Sequence, residues 1–469
     1  MNNKENCPNI IMIVADDLGC CDMGCYGNTR AITPYLDEFA RCGTKFTRHY
    51  SASPMCAPAR ASLLTGKYPH RTGAIDVCSI RGLNRVSHEE VTLPQLLKQK
   101  GYRTGLIGKW HNGGGSSYFH PSQYGYDTFC GFEGGGSPYF DYYLEKSFGE
   151  LEHVTGHYIT DRLTDEAIQF VEENKSMPFF MQLAYNAPHR PLEAPEEDIS
   201  LFDNYDDMTK GLKILYAMVT RMDRNIGRLM EVLIKNNLME NTLILFISDN
   251  GPDGIGSGNM STKRNLYHSF HGHKGDTLEG GIRVPALLRW DGHLPAGNNC
   301  DEIFSFIDWL PTFAELLNIT IPETADIDGH NVWPIILGTQ HNSSDYFWHW
   351  TRYEIIKESN AAVIHKGYKL YYPAYKDTTK YYDPDSRYNG MKGTYNIITD
   401  PIKREHPNGN NTPLLFYLPQ DQKESKNISD LYPQITDKLK NMLDGWLVKM
   451  IQDYNNAKKD TLTKKQLEE

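Results

Sequence analysis

Four apolar runs, each stopping at polar or ionisable residues, constrain this chain most. Asn9-Ile-Ile-Met-Ile-Val14 leads into Asp16-Asp17, and Gly105-Leu-Ile107 into Lys109-Trp-His111. Phe179-Phe-Met-Gln-Leu-Ala184 leads to His189, and Thr242-Leu-Ile-Leu-Phe-Ile247 to Ser248-Asp249-Asn250-Gly251. Continuous apolar runs of this length, bounded by turn residues, read as parallel strands buried on both faces. Helical patterns lie between them, over residues 93–100, 161–173 and 215–238. Strand alternating with helix predicts an α/β layered domain. In such sheets ligands bind beyond the carboxyl ends of the strands, where all four runs deliver charged or imidazole side chains.

A chain of 469 residues exceeds one small domain. We expect residues 1–340 to form the large domain, a mixed, mostly parallel sheet flanked by helices. After about residue 338 the chain turns Tyr- and Trp-rich, and residues 341–469 are expected to form a smaller α+β subdomain. Its signals are alternating segments over 362–372, a turn-rich stretch over 384–413, and an amphipathic helix from 432 to about 450. The polar end, 455–469, is expected to fray.

Charge narrows the function classes. The chain carries 48 basic and 59 acidic residues, a net charge of −11. That balance argues against nucleic acid as a partner, since gripping phosphates requires a basic surface. It does not oppose a small anionic substrate, which responds to local charge. No run of 18 apolar residues exists, so no membrane span is expected. The start, Met1 to Pro8, lacks the charged and apolar regions of a secretory leader. Nine cysteines, an odd number, fit a reducing compartment better than a disulfide framework, so the expected location is cytoplasmic.

The sharpest segment is Ser53-Pro-Met-Cys56-Ala-Pro58-Ala-Arg60-Ala-Ser-Leu-Leu-Thr-Gly66. Pro58 is expected to open a helix, placing Cys56 near its positive end, where a thiol is more acidic and an oxyanion is favoured. Taken alone, Cys56 also reads as a small buried hydrophobe. Asp16, Asp17, Asp249 and Asn250 offer four hard oxygen ligands from the ends of two runs, which suits Ca²⁺ or Mg²⁺ rather than zinc. Three converging carboxylates repel, and a divalent ion resolves the conflict. Taken singly, the acidic pairs also read as a helix cap and a turn.

Cys-x-Pro-x-Arg followed by Ala-Ser-Leu-Leu-Thr-Gly resembles the signature of the type I sulfatases of the alkaline phosphatase superfamily. Further matches run in family order: Ala15-Asp16-Asp17-Leu-Gly19, Gly24-Cys-Tyr-Gly27, Thr33-Pro-Tyr-Leu-Asp37, Gly108-Lys109-Trp-His111, Ala187-Pro-His189, Ser248-Asp-Asn-Gly251 and Lys274-Gly-Asp-Thr-Leu-Glu-Gly-Gly-Ile-Arg-Val-Pro285. The resemblance covers nearly the whole chain. It implies an alkaline-phosphatase-like fold and hydrolysis of a sulfate monoester, a sulfated saccharide ahead of a simple phenol.

The resemblance also implies that Cys56 is oxidised to formylglycine by a formylglycine-generating or anaerobic sulfatase-maturating enzyme. Its hydrate has two hydroxyls: one attacks sulfur to give a sulfated enzyme, and the other expels sulfate by re-forming the aldehyde. Asp16, Asp17, Asp249, Asn250 and position 56 would hold the ion, calcium ahead of magnesium. Arg60 and Lys109 would hold the hydrate and sulfate, and His111 would contact the hydrate. His189 and Lys274 would lie on the leaving-group side, with His189 as general acid and Asp249 as base. Lys109, His189 and Lys274 are thus the substrate-binding set. The rivals are a phosphonate monoester or phosphodiester hydrolase of the same superfamily, and a sulfated-glycan binder with an unmodified Cys56.

Other clusters read as ordinary. Cys20-Cys21-x-x-x-Cys25 lacks zinc spacing. His268-x-x-His271-x-His273 reads as a substrate-lining loop, because it abuts Lys274. Gly113-Gly-Gly115 and Gly134-Gly-Gly136 suggest close backbone packing or mobile loops. Asn318, Asn342 and Asn427 begin glycosylation-like triplets that read as accidental without a leader. Trp348, Trp350, Arg352 and Tyr353 could line a sugar pocket or pack the subdomain core.

Overall fold

The computed structural model describes residues 7–114, 116–254, 270–375, 377–380, 385 and 411–461. Ten strands form one sheet: β1 (Asn9–Ala15), β2 (Thr44–Tyr50), β3 (Arg103–Lys109), β4 (Thr128–Phe132), β5 (Asp141–Ser147), β6 (Glu150–Thr155), β7 (Phe179–Ala184), β8 (Thr242–Ser248), β9 (Ala286–Arg289) and β10 (Asn298–Ser305). Their spatial order is β10-β2-β9-β8-β1-β7-β3-β4-β5-β6. The stretch β8-β1-β7-β3-β4 is parallel throughout. The four apolar runs are its four innermost strands, so their carboxyl ends share one edge. β9 runs antiparallel between β8 and β2, and β5 and β6 form an antiparallel hairpin at the far edge.

Alternation along β1 shows why the runs are apolar throughout. Ile11, Ile13 and Ala15 enter one core with the helices Ile159–Asn174 and Lys210–Lys235. Ile10, Met12 and Val14 enter the other, with the helices Cys56–Thr65, Leu93–Lys98 and Trp309–Leu316. With helices on both faces, neither side of the strand meets water. Burying each such side chain is worth roughly 1.5–3 kcal/mol relative to exposure.

The second sheet is antiparallel, in the order β11 (Tyr346–His349), β12 (Ala361–His365), β13 (Tyr368–Tyr372), β14 (Leu414–Tyr417). β12 and β13 are joined by Lys366 and Gly367, both in the left-handed region, the two-residue loop that matches strand twist. One face of this sheet packs on Leu439, Leu443 and Leu447, spaced four apart along the helix Pro433–Thr461. The other face joins the main core through Trp348, Ala362, Ile364 and Phe416. A closed ionic cluster crosses that boundary. Lys369 Nζ lies 2.9 Å from Glu279 Oε1 and 2.8 Å from Glu424 Oε1, while Tyr50 OH donates to Glu279 Oε2 at 2.8 Å.

Two expectations are corrected here, and one open alternative is decided. The last helix runs to Thr461 rather than about 450, because Tyr454 packs with Ile75, Ile80, Leu83 and Tyr353. Residues 455–461 are therefore helical rather than frayed. Trp348, Trp350, Arg352 and Tyr353 are all buried: Trp348 Nε1 donates to Ser51 O at 2.7 Å, and Asp76 pairs with Arg352 and accepts from Tyr353 N. They pack the junction rather than line an open sugar pocket. Most of the turn-rich stretch 384–413, together with His268 and Gly115, lies outside the described residues. No cysteine is disulfide-bonded, and among the described residues no helix is long and apolar enough to cross a membrane.

Candidate active site

The carboxyl ends of the inner strands bring the expected residues together. Ala15 pairs with Ser248 across β1 and β8, so the next residues, Asp16 and Asp249, emerge side by side. Carboxylate oxygens of Asp16 and Asp249 and the Cys56 Sγ all lie within 4.8 Å of one another. Asp16, Asp17 and His189 form a second group within the same limit.

The cysteine helix begins at Cys56 itself, with Pro58 third rather than first. Pro tolerates either place, because amides of the first turn have no helical acceptor to lose. No side chain caps the start at Met55, which leaves the positive end of the dipole at the cysteine. The expectation of an acidic thiol fails. Burial raises the Cys56 pKa above its ordinary value, and Lys109 and Lys274 only partly offset this.

Three carboxylates face three cations. Arg60 Nε donates to Asp249 Oδ2 at 2.9 Å, and its Nη2 lies 2.8 Å from the same oxygen as an ion pair. Lys109 Nζ donates to Asp16 Oδ2 at 2.6 Å, and Lys274 Nζ lies 2.8 Å from Asp17 Oδ1. Burial alone would raise the Asp17 carboxyl, but Lys274 and then His189 drive it well below its usual range. Asp249 goes the other way, up to about 6, because burial and then the Asp16 charge outweigh Arg60.

Two acceptors stay unsatisfied in this buried setting. Asp16 Oδ1 and Asn250 Oδ1 have no hydrogen-bond partner, although Asn250 Nδ2 donates to Asp17 Oδ1 at 2.7 Å. Orphaned buried acceptors are costly, and two of them among three carboxylates are what a hard divalent cation satisfies. The donor set therefore fits calcium or magnesium.

The histidines differ in their surroundings. His189 sits five residues after β7, and Tyr139 OH donates to His189 O at 2.7 Å. Its Nδ1 faces Arg190 O at 2.8 Å; a carbonyl only accepts, so Nδ1 carries the hydrogen and Nε2 points towards Asp17, 3.7 Å away. Burial, then Lys274, lowers the His189 pKa to about 3. His111 is buried with Nδ1 unpartnered, and burial, Lys109 and Arg60 depress its pKa strongly. Both Asp17 (φ 64°) and His111 (φ 62°) occupy the left-handed region, where a residue with a Cβ is strained. Asp17 N donates to Asp249 Oδ1, and His111 N to Glu133 O, which holds those backbones in place. Gly135 lies so close to His111 that a Cβ there would come within 2.7 Å of Nε2, so the second glycine run is a close-packed wall.

Sequence reasoning missed the supports. Ser51 Oγ donates to Asp249 O at 2.6 Å, and Asn112 Nδ2 to Ala57 O at 2.8 Å. Their partners are backbone atoms of distant segments, so no local pattern marks them. Asn112, next to His111, was the one within reach.

Comparison with known proteins agrees with this geometry. The sulfatase family model matches residues 8–319, and the C-terminal model of N-sulphoglucosamine sulphohydrolase matches 271–405. Human N-acetylgalactosamine-6-sulfatase is 32% identical, over 70% of this chain and 66% of that protein. Rat (Rattus norvegicus) steryl-sulfatase is 28% identical, over 93% of this chain and 87% of that one. The crystal structure of Ps i-CgsB in complex with k-i-k-neocarrahexaose superposes with a TM-score of 0.77 at 32% identity, spanning 98% of this chain and 99% of the other. A phosphonate monoester hydrolase of Agrobacterium radiobacter, 18% identical with a TM-score of 0.61, shares the fold. With the motif cysteine, the paired acidic ends and a family match over most of its length, the chain belongs to the type I sulfatases, the sulfuric ester hydrolases of the alkaline phosphatase superfamily.

Proposed function

We propose that this chain hydrolyses a sulfate monoester of a saccharide, with position 56 converted to formylglycine and one calcium ion held by Asp16, Asp17, Asp249 and Asn250. The observation that carries the reading is the convergence of the Cys56 Sγ with the Asp16 and Asp249 carboxylates. As a thiol, Cys56 is a poor nucleophile, since burial holds it protonated. At position 56 a formylglycine hydrate would supply the attacking hydroxyl, and a calcium ion held by Asp16, Asp17, Asp249 and Asn250 would supply Lewis acidity towards the sulfate. Activation requires a formylglycine-generating or anaerobic sulfatase-maturating enzyme as partner.

The chain's own residues do the rest. Arg60 fixes the Asp249 carboxylate through the hydrogen bond from Nε and the ion pair from Nη2, and Asp249 takes the proton of the attacking hydroxyl. Lys109 and Lys274 supply fixed positive charge where the sulfate oxygens lie, in a site from which water is largely excluded. His111, kept neutral, takes the second hydroxyl's proton as sulfate is expelled. His189 gains a proton on Nε2 when the anionic ester arrives, and delivers it to the leaving oxygen as the S–O bond breaks.

A saccharide is favoured over a sterol because the neighbour at 32% identity over nearly the full length of both chains was crystallised with k-i-k-neocarrahexaose. The test is a panel of sulfated mono- and disaccharides run on formylglycine-bearing protein beside an aryl sulfate and an aryl phosphodiester. Turnover of sulfate esters far above the phosphodiester is expected, and the reverse order assigns the chain to the phosphodiester branch. Peptide mass across position 56 should show the loss expected for thiol-to-aldehyde conversion. A free thiol with binding but no turnover makes the protein a glycan binder. Chelation should abolish turnover and added Ca²⁺ restore it.

A further inference from the structure

We infer that Asn360, at the entry to the C-terminal sheet, is the positioning residue for Lys274, so that the smaller sheet sets the geometry of the sulfate pocket; the inference rests on the function proposed above. A lysine is a charge on a flexible four-carbon stem, so where its ammonium dwells depends on how firmly its backbone is held. The Lys274 backbone is held from two sides.

The first side is the catalytic body. Lys274 N donates to Pro252 O at 2.9 Å, and Gly275 N to Pro54 O at 3.0 Å. Pro252 follows the Asp249-Asn250 pair, and Pro54 lies two residues before Cys56. Gly275 itself has φ 94°, a conformation that needs glycine. The second side is Asn360, the residue just before β12. Its Nδ2 donates to Gly275 O at 2.7 Å, and its Oδ1 accepts from Thr277 N at 2.9 Å. One amide thus grips the acceptor and the donor that flank the turn after Lys274.

Asn360 is itself fixed. Its Nδ2 also donates to Trp350 O at 2.7 Å, its own carbonyl accepts from Trp350 N at 3.1 Å, and the residue is fully buried. Its φ of 45° lies in the left-handed region, which Asn tolerates better than most residues with a Cβ. The side-chain amide bonds backbone atoms of Gly275, Thr277 and Trp350. It acts through the Lys274 backbone, and a shift of the order of 1 Å in a positioned group is enough to cost about 100-fold in rate.

The left-handed φ selects the substitution. Asn360→Ala would add backbone strain to the loss of the amide, whereas Asn360→Gly keeps the backbone and removes the grip together with the bond to Trp350 O. Asn360→Asp is the second variant: it keeps the acceptor and loses the donor. The experiment is a double-mutant cycle on an aryl sulfate, with kcat and KM measured for the wild type, Asn360→Gly, Lys274→Ala and the double variant. Asn360→Gly should lower kcat/KM by about 10-fold or more in the wild-type background, and by no more than about 2-fold once Lys274 is gone. An equal fold-loss in both backgrounds, or none in the first, overturns the inference. If thermal melting shows Asn360→Gly unfolded, the same cycle is run with Asn360→Asp.

A second readout needs no turnover. Backbone amides over 274–281 should exchange hydrogen faster in Asn360→Gly than in the wild type, and unchanged exchange also overturns the grip. If the formylglycine-bearing wild type turns over no sulfate ester, the proposed function has failed, and exchange alone then decides whether Asn360 holds the Lys274 segment.

Discussion

Two buried ionic clusters in this molecule use the same groups to opposite ends. At the sheet edge, Asp16, Asp17 and Asp249 face Lys109, Lys274 and Arg60. At the junction with the smaller sheet, Glu279 and Glu424 face Lys369 and Arg283. The junction cluster ties two parts of the chain together around one ammonium: Lys369 Nζ lies between Glu279 and Glu424, Glu279 Oε2 accepts from Tyr50, and Glu279 N donates to Glu424 Oε2 at 2.7 Å. The edge cluster is left short, with the Asp16 and Asn250 acceptors unmatched. Two carboxylates bridged by one buried ammonium fix one arrangement of the chain, while carboxylates crowded together with unmatched acceptors favour a hard cation.

The contrast predicts loss of function at one cluster and loss of stability at the other. The largest effect is expected from Cys56→Ala, which should cut sulfate-ester turnover by roughly 10⁴-fold or more while the melting temperature barely moves. Appreciable turnover in that variant would remove position 56 from the chemistry. Lys369→Met is the mirror case. It strands two buried carboxylates and should cost about 3–5 kcal/mol by denaturant titration, with kcat of the folded fraction reduced far less than by Lys274→Ala. If it melts like the wild type, the junction cluster is not structural.

His189→Gln comes next. Turnover of sugar sulfates should fall by about 100-fold, and of activated aryl sulfates by much less, since a good leaving group needs no proton. Equal losses on both would take the acid role away from His189.

The smallest effect concerns His349, which contacts His70 at 3.1 Å under the C-terminal sheet. Burial lowers its pKa to about 4 from an ordinary value of 6.5. Above 6.5 neither folded nor unfolded chain holds the proton. Between 6.5 and 4 only the unfolded chain does, so stability should fall by up to about 1.4 kcal/mol per pH unit and level off below about 4. His349→Gln should make that limb shallower in melts recorded across pH without removing it, because burial depresses His49, His70, His111 and His189 as well; an unchanged slope would assign the acid loss to those groups alone.

The sequence announced the centre of the fold and was nearly silent about its edges. β1, β3, β7 and β8 could be read because burial on both faces makes a strand apolar at every position, and because each ends on chemistry. β2 could not: Thr44-Lys-Phe-Thr-Arg-His-Tyr50 is only partly buried, and its polar positions carry no strand signature. The site residues were legible through their motifs. The left-handed backbones of Asp17 and His111 were not, because they are imposed by hydrogen bonds from residues far along the chain. The Asn360 grip was invisible for the same reason, since its partners lie 83 and 85 residues away.

The Ala15–Ser248 pairing has a practical corollary. Adjacent carboxylates exist only while those two strands keep their native alignment, and a one-residue offset of β8 would turn the Asp249 side chain to the opposite face. A refolded sample with that error would keep its helix content and most of its compactness, yet lose the paired carboxylates on which the proposed calcium site rests. On that proposal, calcium affinity gauges correct assembly more sharply than circular dichroism does.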